Sequence, residues 1–115
     1  MKHITLDQMT KGWFVGPFLP TAYQTDACEV AVKQYKAGDK EAAHMHRVAT
    51  EITVVLSGRI RMLNQEWGEG DILVLEPGEI TDFEALTDCI NVVVKTPGVL
   101  NDKFLMQAEL NPLPG

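Results

Sequence analysis

The feature of this chain that most constrains its fold is a series of short β-type segments separated by turn signals. Five segments are rich in β-branched residues, and they span residues 27–35, 50–57, 59–63, 71–76 and 89–96. Glycine, proline and acidic residues cluster between them, as in "AGDK", "GEGD" and "EPGE". Because no long amphipathic helix lies between these segments, the pattern predicts an all-β fold, an antiparallel sandwich or barrel, rather than an α/β sheet.

The length of the chain limits it to one domain built on these strands. Its 115 residues are 45% hydrophobic and 23% charged, which is typical of a folded globular protein. We therefore predict a single domain over residues 1–115, with a barrel core at about 27–97. Residues 1–26, broken by glycine and proline, are expected to form an edge strand and a loop. Residues 98–115 form a tail, in which "NDKFLMQAEL" indicates one or two helical turns.

The charge of the chain argues against two classes of partner. Acidic residues outnumber basic residues by 16 to 10, which gives a formal charge of −6. Nucleic-acid backbones and anionic membranes both attract clustered lysine and arginine, so we expect neither partner. No apolar run approaches the roughly 20 residues of a membrane-spanning helix, and the start "MKHITLDQMT" has no apolar signal core. A cytoplasmic protein is expected, with Cys28 and Cys89 as free thiols in preference to a disulfide.

Three polar residues near the middle of the chain form the candidate site. His44 and His46 are two positions apart, so in a strand their side chains point to the same face. Four residues separate His46 from Glu51, and a four-residue hairpin would make these two a directly opposed cross-strand pair. Two imidazoles and one carboxylate on one face are typical of an open metal site, whereas a structural zinc site uses four ligands. A polar, solvent-facing hairpin without chemistry is the competing interpretation.

The spacing around these residues is also that of a known family. Gly38, His44, His46, Glu51 and Gly58 satisfy every interval of the pattern Gly, five residues, His-x-His, four residues, Glu, six residues, Gly. In this respect the chain resembles the first motif of the cupin superfamily. The resemblance implies a small RmlC-like jelly-roll barrel, the cupin double-stranded β-helix. In metal-binding cupins the two histidines and the glutamate, with one later histidine, hold a divalent ion.

The second cupin motif is incomplete in this chain. Gly70 and Gly78 lie in register in "GDILVLEPGEITDFEA", but Glu76 replaces a proline, Thr81 the later histidine and Ala85 an asparagine. The resemblance therefore implies a divalent ion, Fe, Mn, Ni or Zn, held by the two histidines and the glutamate alone. Threonine is a poor ligand for these metals, although its hydroxyl can hold a metal-bound water.

Two functions are compatible with this site. In the first, the metal ion polarises a small polar substrate, a carbohydrate or an organic acid, or activates oxygen, and the protein is an isomerase or a dioxygenase. In the second, the barrel binds a sugar or another small molecule without metal and without catalysis. For either function we predict a substrate pocket formed by Tyr35, Thr53, Met62, Thr81 and Phe83.

A structural role is the third interpretation. The segments "ITVVL" (52–56) and "INVVV" (90–94) are apolar on both faces, so one face fills the barrel and the other needs a cover. The expected cover is a partner subunit or the terminal segments of the chain, and we predict a homodimer. Trp13 and Trp67 are expected to be packing anchors rather than ligand platforms. In a purely structural protein, bulky side chains such as that of Trp67 would fill the cavity.

Overall fold

The computed structural model describes residues 1–106, which form two β-sheets with a cavity between them. In chain order the strands are β1 (Trp13–Gly16), β2 (Tyr23–Gln24), β3 (Glu29–Tyr35), β4 (Lys40–His46), β5 (Thr50–Ser57), β6 (Arg59–Met62), β7 (Gln65–Gly68), β8 (Ile72–Leu75), β9 (Thr81–Ala85), β10 (Cys89–Thr96) and β11 (Lys103–Leu105). A short 3-10 helix, Leu6–Gln8, precedes β1. No helix within these residues is long and apolar enough to cross a membrane.

Strand pairing builds one larger and one smaller sheet. The six-stranded sheet has the order β2-β1-β3-β10-β5-β8, and the five-stranded sheet has the order β11-β4-β9-β6-β7. Paired strands are antiparallel apart from β1 and β2, which are parallel. Several strands that follow one another in the chain fall in different sheets, as in a jelly roll. The prediction of an all-β jelly-roll barrel is confirmed.

Alternation of side chains explains both the strands and the core. In β10 the side chains of Cys89, Asn91 and Val93 are buried, whereas Ile90 and Val92 between them are only half-buried. The same alternation runs through β5, β6 and β8, so each of these strands directs every second residue to the interior. The buried apolar cluster consists of Val55, Ile60, Met62, Leu73, Leu75, Phe83, Ala85 and Cys89.

The link between β4 and β5 differs from the predicted hairpin. β4 pairs with β9 and β11 in the smaller sheet, whereas β5 pairs with β10 and β8 in the larger sheet. The prediction that His46 and Glu51 form a directly opposed cross-strand pair is therefore wrong. The physical reason is that β5 carries apolar residues on both faces and pairs along its length with the similar β10, for example Val54 with Val92. The link crosses between sheets, and the two polar side chains meet across the interior instead.

Both ends of the described chain add edge strands. β1 and β2 extend the six-stranded sheet at one edge. Residues 103–105 form β11, which pairs with β4, so the predicted helical turns are wrong at these positions. The reason is that the edge of β4 offers unpaired backbone groups, which a strand satisfies and a helix does not. Residues 107–110, to which the helical prediction also applied, lie outside the described residues.

Candidate functional site

A cavity of about 340 Å³ lies between the two sheets and is lined by side chains from both. Ionisable groups dominate its wall, which includes four lysines, two glutamates, two histidines and one tyrosine. The remaining lining residues are Trp13, Thr53, Met62, Phe83, Asn91 and Val93. Since ionisable side chains are rarely buried without a partner, their convergence here marks the cavity as the candidate site.

Each histidine ring is fixed by a hydrogen bond from its Nδ1 atom to a backbone carbonyl oxygen. His44 and His46 alternate on β4, and both side chains are buried in the cavity wall. Nδ1 of His44 lies 2.8 Å from the carbonyl oxygen of Ala42, and Nδ1 of His46 lies 3.2 Å from that of Asp102. Since a carbonyl oxygen only accepts, each Nδ1 carries the hydrogen and donates it. A neutral ring held in this way keeps its lone pair on Nε2, which is the arrangement of metal-ligating histidines.

Glu51 reaches the histidines from the opposite sheet. Its Oε1 atom lies 3.2 Å from Nε2 of His46 in a buried contact. Two lone-pair atoms at that distance need either a second proton on the imidazole or a cation between them. Ligand atoms about 2.0–2.2 Å from one ion, in adjacent coordination positions, are themselves about 3 Å apart. The contact therefore fits both an imidazolium–carboxylate pair and two ligands of one metal ion.

Burial and charge set the protonation of these groups. Burial raises the pKa of Glu51, but the hydrogen bond and charge of His46, together with Lys95, outweigh it and hold the pKa below its usual range. Burial lowers the pKa of His44, although its hydrogen bond to Ala42 opposes this. At neutral pH the site therefore contains a carboxylate and a neutral imidazole, which are the forms that bind metal.

The three predicted ligands do not close around one point in this structure. Within residues 1–106, no three histidine, cysteine, aspartate or glutamate side chains form a group that could hold an ion. His46 and Glu51 are in contact, but the rings of His44 and His46 are 5.7 Å apart, centroid to centroid. The donor chemistry fits a divalent cation, whereas the positions of the donors fit it only in part.

Four of the five predicted pocket residues line the cavity, namely Tyr35, Thr53, Met62 and Phe83. The ring of Tyr35 packs on that of Phe83 with the centroids 4.4 Å apart, and its hydroxyl donates to Oε2 of Glu41 at 2.9 Å. Burial, reinforced by the charge of Glu41, raises the pKa of Tyr35. The phenol therefore keeps its proton and serves as a hydrogen-bond donor on the wall.

Thr81, the fifth predicted pocket residue, does not line the cavity. It is buried on β9, directly opposite His44 in the strand register. Its hydroxyl donates to the carbonyl oxygen of Asp82 at 2.7 Å and accepts the N–H of Leu63 at 3.1 Å. The hydroxyl is thus turned to the backbone, where it secures the turn between β6 and β7.

Asp102 has a positioning role that no sequence signal indicated. Its carboxylate accepts the backbone N–H groups of Arg47, Val48 and Ala49 at 2.9–3.1 Å, and its carbonyl oxygen accepts Nδ1–H of His46. The residue therefore fixes the whole link between β4 and β5. These partners lie 53 to 56 positions away in the chain, so local pattern cannot reveal them.

The lysines of the cavity wall were also absent from the prediction. Lys33 on β3, Lys95 on β10 and Lys103 on β11 line the cavity together with Lys11. Charged residues in a predicted strand are normally assigned to the solvent face, and only the fold shows that these converge. Trp13, expected to be a packing anchor, also lines the cavity.

Comparisons with known proteins support the fold. No family model matches the sequence, and no curated protein is similar to it at a significant level. Many solved structures do match. An uncharacterized conserved protein with a double-stranded β-helix domain from Klebsiella pneumoniae subsp. pneumoniae is 25% identical, with a TM-score of 0.61, over 64% of this chain and 66% of that chain. That match covers just under two thirds of the Klebsiella protein.

Two further structures differ more in sequence but share the architecture. An RmlC-like cupin from Shewanella frigidimarina is 15% identical, with a TM-score of 0.60, over 64% of this chain and 69% of that chain. The DMSP lyase DddQ from Ruegeria pomeroyi is 21% identical, with a TM-score of 0.67, over 84% of this chain and 51% of that chain. With two antiparallel sheets around an interior cavity, the chain therefore has the RmlC-like cupin fold, the double-stranded β-helix.

Proposed function

We propose that the chain binds a small polar molecule in the cavity between its sheets. The observation that carries this proposal is the cavity itself, about 340 Å³ in volume, with ionisable side chains from both sheets in its wall. Pockets for small ligands are typically about 300–1,000 Å³ and use a few convergent polar groups to orient the ligand. A purely structural barrel would instead fill this space with apolar side chains.

The bulky residues near the cavity support this reading. Met62 and Phe83 form part of the wall and leave the space open. Trp67 packs against the apolar cluster, and its indole N–H donates to the carbonyl oxygen of Met62 at 2.9 Å. None of the three fills the cavity. A purely structural protein would need such side chains to fill it, so this observation speaks against that interpretation.

A filled-cavity variant tests this proposal. Val93→Phe adds a ring to the cavity wall without removing a polar group. A sugar or organic acid at 100 times its Kd should stabilise the parent by about 2.7 kcal/mol, seen as a rise in Tm. The variant should fold and show no such rise. If a broad set of small sugars and acids raises the Tm of neither protein, the proposal fails.

A divalent metal ion in the same cavity is a second candidate, and two specific observations favour it. Nδ1 of both His44 and His46 is engaged by a backbone carbonyl, so Nε2 is the free ligand atom. Glu51 lies at the 3.2 Å distance from His46 that two ligands of one ion would have. Fe, Mn, Ni or Zn would be held by these three residues and would supply Lewis-acid or oxygen chemistry.

If such a metal is bound, an isomerase or a dioxygenase is the activity we propose. The DMSP lyase DddQ shows that this fold is compatible with catalysis, at 21% identity. The chain's own residues would bind and orient the substrate. The Tyr35 hydroxyl donates its hydrogen to Glu41 at 2.9 Å, so its oxygen would accept a hydrogen bond from the substrate in a fixed direction. Phe83 and Met62 exclude water from the inner end.

Metal content measured by mass spectrometry tests the second candidate. Near-stoichiometric metal is expected in the parent, and none in a His44→Ala/His46→Ala double variant. His3→Ala is the matched control, because His3 is exposed and lies outside the cavity wall. A parent that stays free of metal after incubation with Fe, Mn, Ni and Zn contradicts this candidate and leaves binding without metal.

We also propose that the chain forms a homodimer through the outer face of β5 and β8. Ile72 and Val74 on β8 are 63% and 52% exposed, and Leu56 on β5 is 49% exposed. In the register, the β8 residues stand beside Val54 and Ile52, which continues the apolar surface. An apolar patch of this kind marks an interaction surface. Light scattering should give a dimer for the parent and a monomer for Ile72→Lys/Val74→Lys; a monomeric parent contradicts the proposal.

A further inference from the structure

We infer that one part of the cavity is a subsite for the carboxylate of a small hydroxy acid, held between the ammonium groups of Lys33 and Lys95. The inference rests on the proposal that the cavity binds a small molecule, and it names the chemical class of that molecule. It does not depend on a metal ion.

The charge of the cavity wall is opposite to that of the chain. Four of its lining residues are lysines and two are glutamates, whereas the chain as a whole has a formal charge of −6. Among its lysines and glutamates the wall therefore carries two more positive than negative charges. In a protein with so few cations, this concentration around one cavity favours an anionic ligand.

The ammonium groups of Lys33 and Lys95 both lie near the ring of Trp13. Nζ of Lys95 lies 4.8 Å from the ring centroid of Trp13, and Nζ of Lys33 lies 5.8 Å from the same centroid. Lys33 also stands 5.9 Å from the ring centroid of Tyr35. The aromatic faces attract both cations and give them a fixed position, since the ring quadrupole is negative at its face.

Among the described residues, neither of these lysines forms an ion pair with a carboxylate. Across residues 1–106, the ion pairs are formed by other groups, and Lys103 alone among the cavity lysines forms one, with Glu41 at 3.8 Å. Burial lowers the pKa of both Lys33 and Lys95, partly offset by neighbouring glutamates. An anion in the cavity would be attracted by both half-buried ammonium groups, which form no ion pair within residues 1–106.

An unpartnered amide stands next to these lysines. Asn91 faces Lys33 across the β3–β10 pair and is only 1% exposed. Its Oδ1 atom is buried without a hydrogen-bond partner among the described residues, although Asn91 is part of the cavity wall. A buried amide normally has partners, so this one points to a missing group. A ligand hydroxyl suits it, because a hydroxyl both donates and accepts and can serve either atom of the amide.

Carboxylate is the anion that this wall fits best. No arginine is among the lining residues, and no helix N-terminus is present there, so the two features most often used for phosphate are missing from the described wall. Two lysine point charges and one amide match a carboxylate with a neighbouring hydroxyl. The volume of about 340 Å³ limits the ligand to a small molecule.

Isothermal titration in metal-free buffer with EDTA tests this inference. The probes are glycolate, tartrate, gluconate and glucuronate, with ethylene glycol and glucose as neutral counterparts and inorganic phosphate as a competing anion. At least one hydroxy acid should bind about tenfold or more tightly than its neutral counterpart, and more weakly as salt is raised. Hydroxy acids that bind no better than the neutral compounds, or phosphate that binds more tightly than all of them, overturn it.

Variants then assign the effect to the two lysines. Lys33→Met and Lys95→Met should each weaken hydroxy-acid binding by about tenfold, because each removes a charged hydrogen-bond donor. Lys36→Met is the matched control, since Lys36 is exposed and outside the cavity wall. Unchanged binding in both cavity variants overturns the inference. Thermal melting identifies a variant that fails to fold, and the comparison of charged and neutral ligands on the parent then decides.

A separate binding measurement tests the role of the Asn91 amide. Asn91→Val should reduce the preference for gluconate over hexanoate, which has the carboxylate but no hydroxyl groups. An unchanged preference would contradict the role given to Asn91. Metal content is measured separately in all these variants. If neutral sugars bind and acids do not, the proposed ligand binding stands while the carboxylate subsite fails.

Discussion

β4 and β9 are neighbouring strands of one sheet, yet their directly opposed residues His44 and Thr81 direct their polar atoms to different partners. Both are buried, at 6% and 5% exposure. His44 uses Nδ1 for a backbone carbonyl and keeps Nε2 free at the cavity. Thr81 turns its hydroxyl to the backbone of Asp82 and Leu63. Occupying the interior side of the sheet is therefore not enough to make a residue part of the site.

The difference also changes the interpretation of Thr81, which stands where the second cupin motif has a metal-binding histidine. Leu63 and Asn64 have φ of 56° and 59°, and this left-handed pair makes the tight turn between β6 and β7. Thr81 accepts the N–H of Leu63 and so anchors that turn. The threonine is not a vacant ligand position but a structural residue. The β4 residue His44 is a candidate ligand at the cavity, and the β9 residue Thr81 anchors the turn.

The largest expected effect comes from removing Asp102, on which the β4 side depends. Asp102→Ala should lower the free energy of unfolding by about 3–4 kcal/mol, because three backbone N–H groups lose a charged acceptor. Urea unfolding measures the change. Asp71→Ala is the control, since the Asp71 carboxylate accepts a single N–H among the described residues, that of Gly68, and it should cost about 1 kcal/mol. Equal losses in the two variants would contradict the role of Asp102.

Thr81→Val should separate the two sides of the comparison. The variant keeps the shape of the side chain but leaves the N–H of Leu63 without its acceptor, so stability should fall by about 1–2 kcal/mol. Metal content and ligand affinity should stay at the parent values. A loss of ligand binding in a folded variant would show that Thr81 belongs to the site after all.

Thr81→His tests whether a side chain on β9 can bind the proposed metal ion. If the ion is held as proposed, a fourth ligand opposite His44 should raise metal affinity by about tenfold, which is about 1.4 kcal/mol. Competition with a coloured chelator measures the affinity. His44→Ala in the Thr81→His background is the control, and it should return the affinity to the parent level or below. No gain in a folded variant would contradict the expectation that a side chain at position 81 reaches the proposed ion.

The smallest effect is a loss of thermal stability in acid. His44 and Glu51 both have a folded pKa below the ordinary values of 6.5 and 4.5. The unfolded chain therefore binds protons first, so the stabilisation is complete above those values and is lost as pH falls through the folded pKa. In EDTA, Tm should fall by a few degrees below pH 6.5 and further below 4.5. His44→Gln should remove the first step only.

Strand positions were largely predictable, and strand partners were not. The predicted bounds of β5 and β10 agree with the structure, because their β-branched residues end at clear turn signals. The partner of β5 could not be read in the same way. A four-residue link is compatible with a hairpin and with a crossing between sheets, and tertiary packing of the apolar faces decides between them.

The residues of the candidate site were predictable where a local spacing exists. His44, His46 and Glu51 fall within eight positions and all three line the cavity, and His46 contacts Glu51 from the opposite sheet rather than across a hairpin. Lys33 and Lys95 lie far apart in the chain, and they line the same cavity because β3 and β10 pair. One signal was available: Asn91 and Lys95 share a face of a strand that is otherwise apolar.

Asp102 also sets an order of events during synthesis. The chain emerges from its N-terminus, so the link between β4 and β5 is present long before its anchor, which follows 53 to 55 positions later. Until residue 102 arrives, three backbone N–H groups have no acceptor and Nδ1 of His46 has no carbonyl to hold it. Within residues 1–106 β11 is the last strand to be made, and a nascent chain that ends before Asp102 carries the two histidines without the residue that anchors the link beside them.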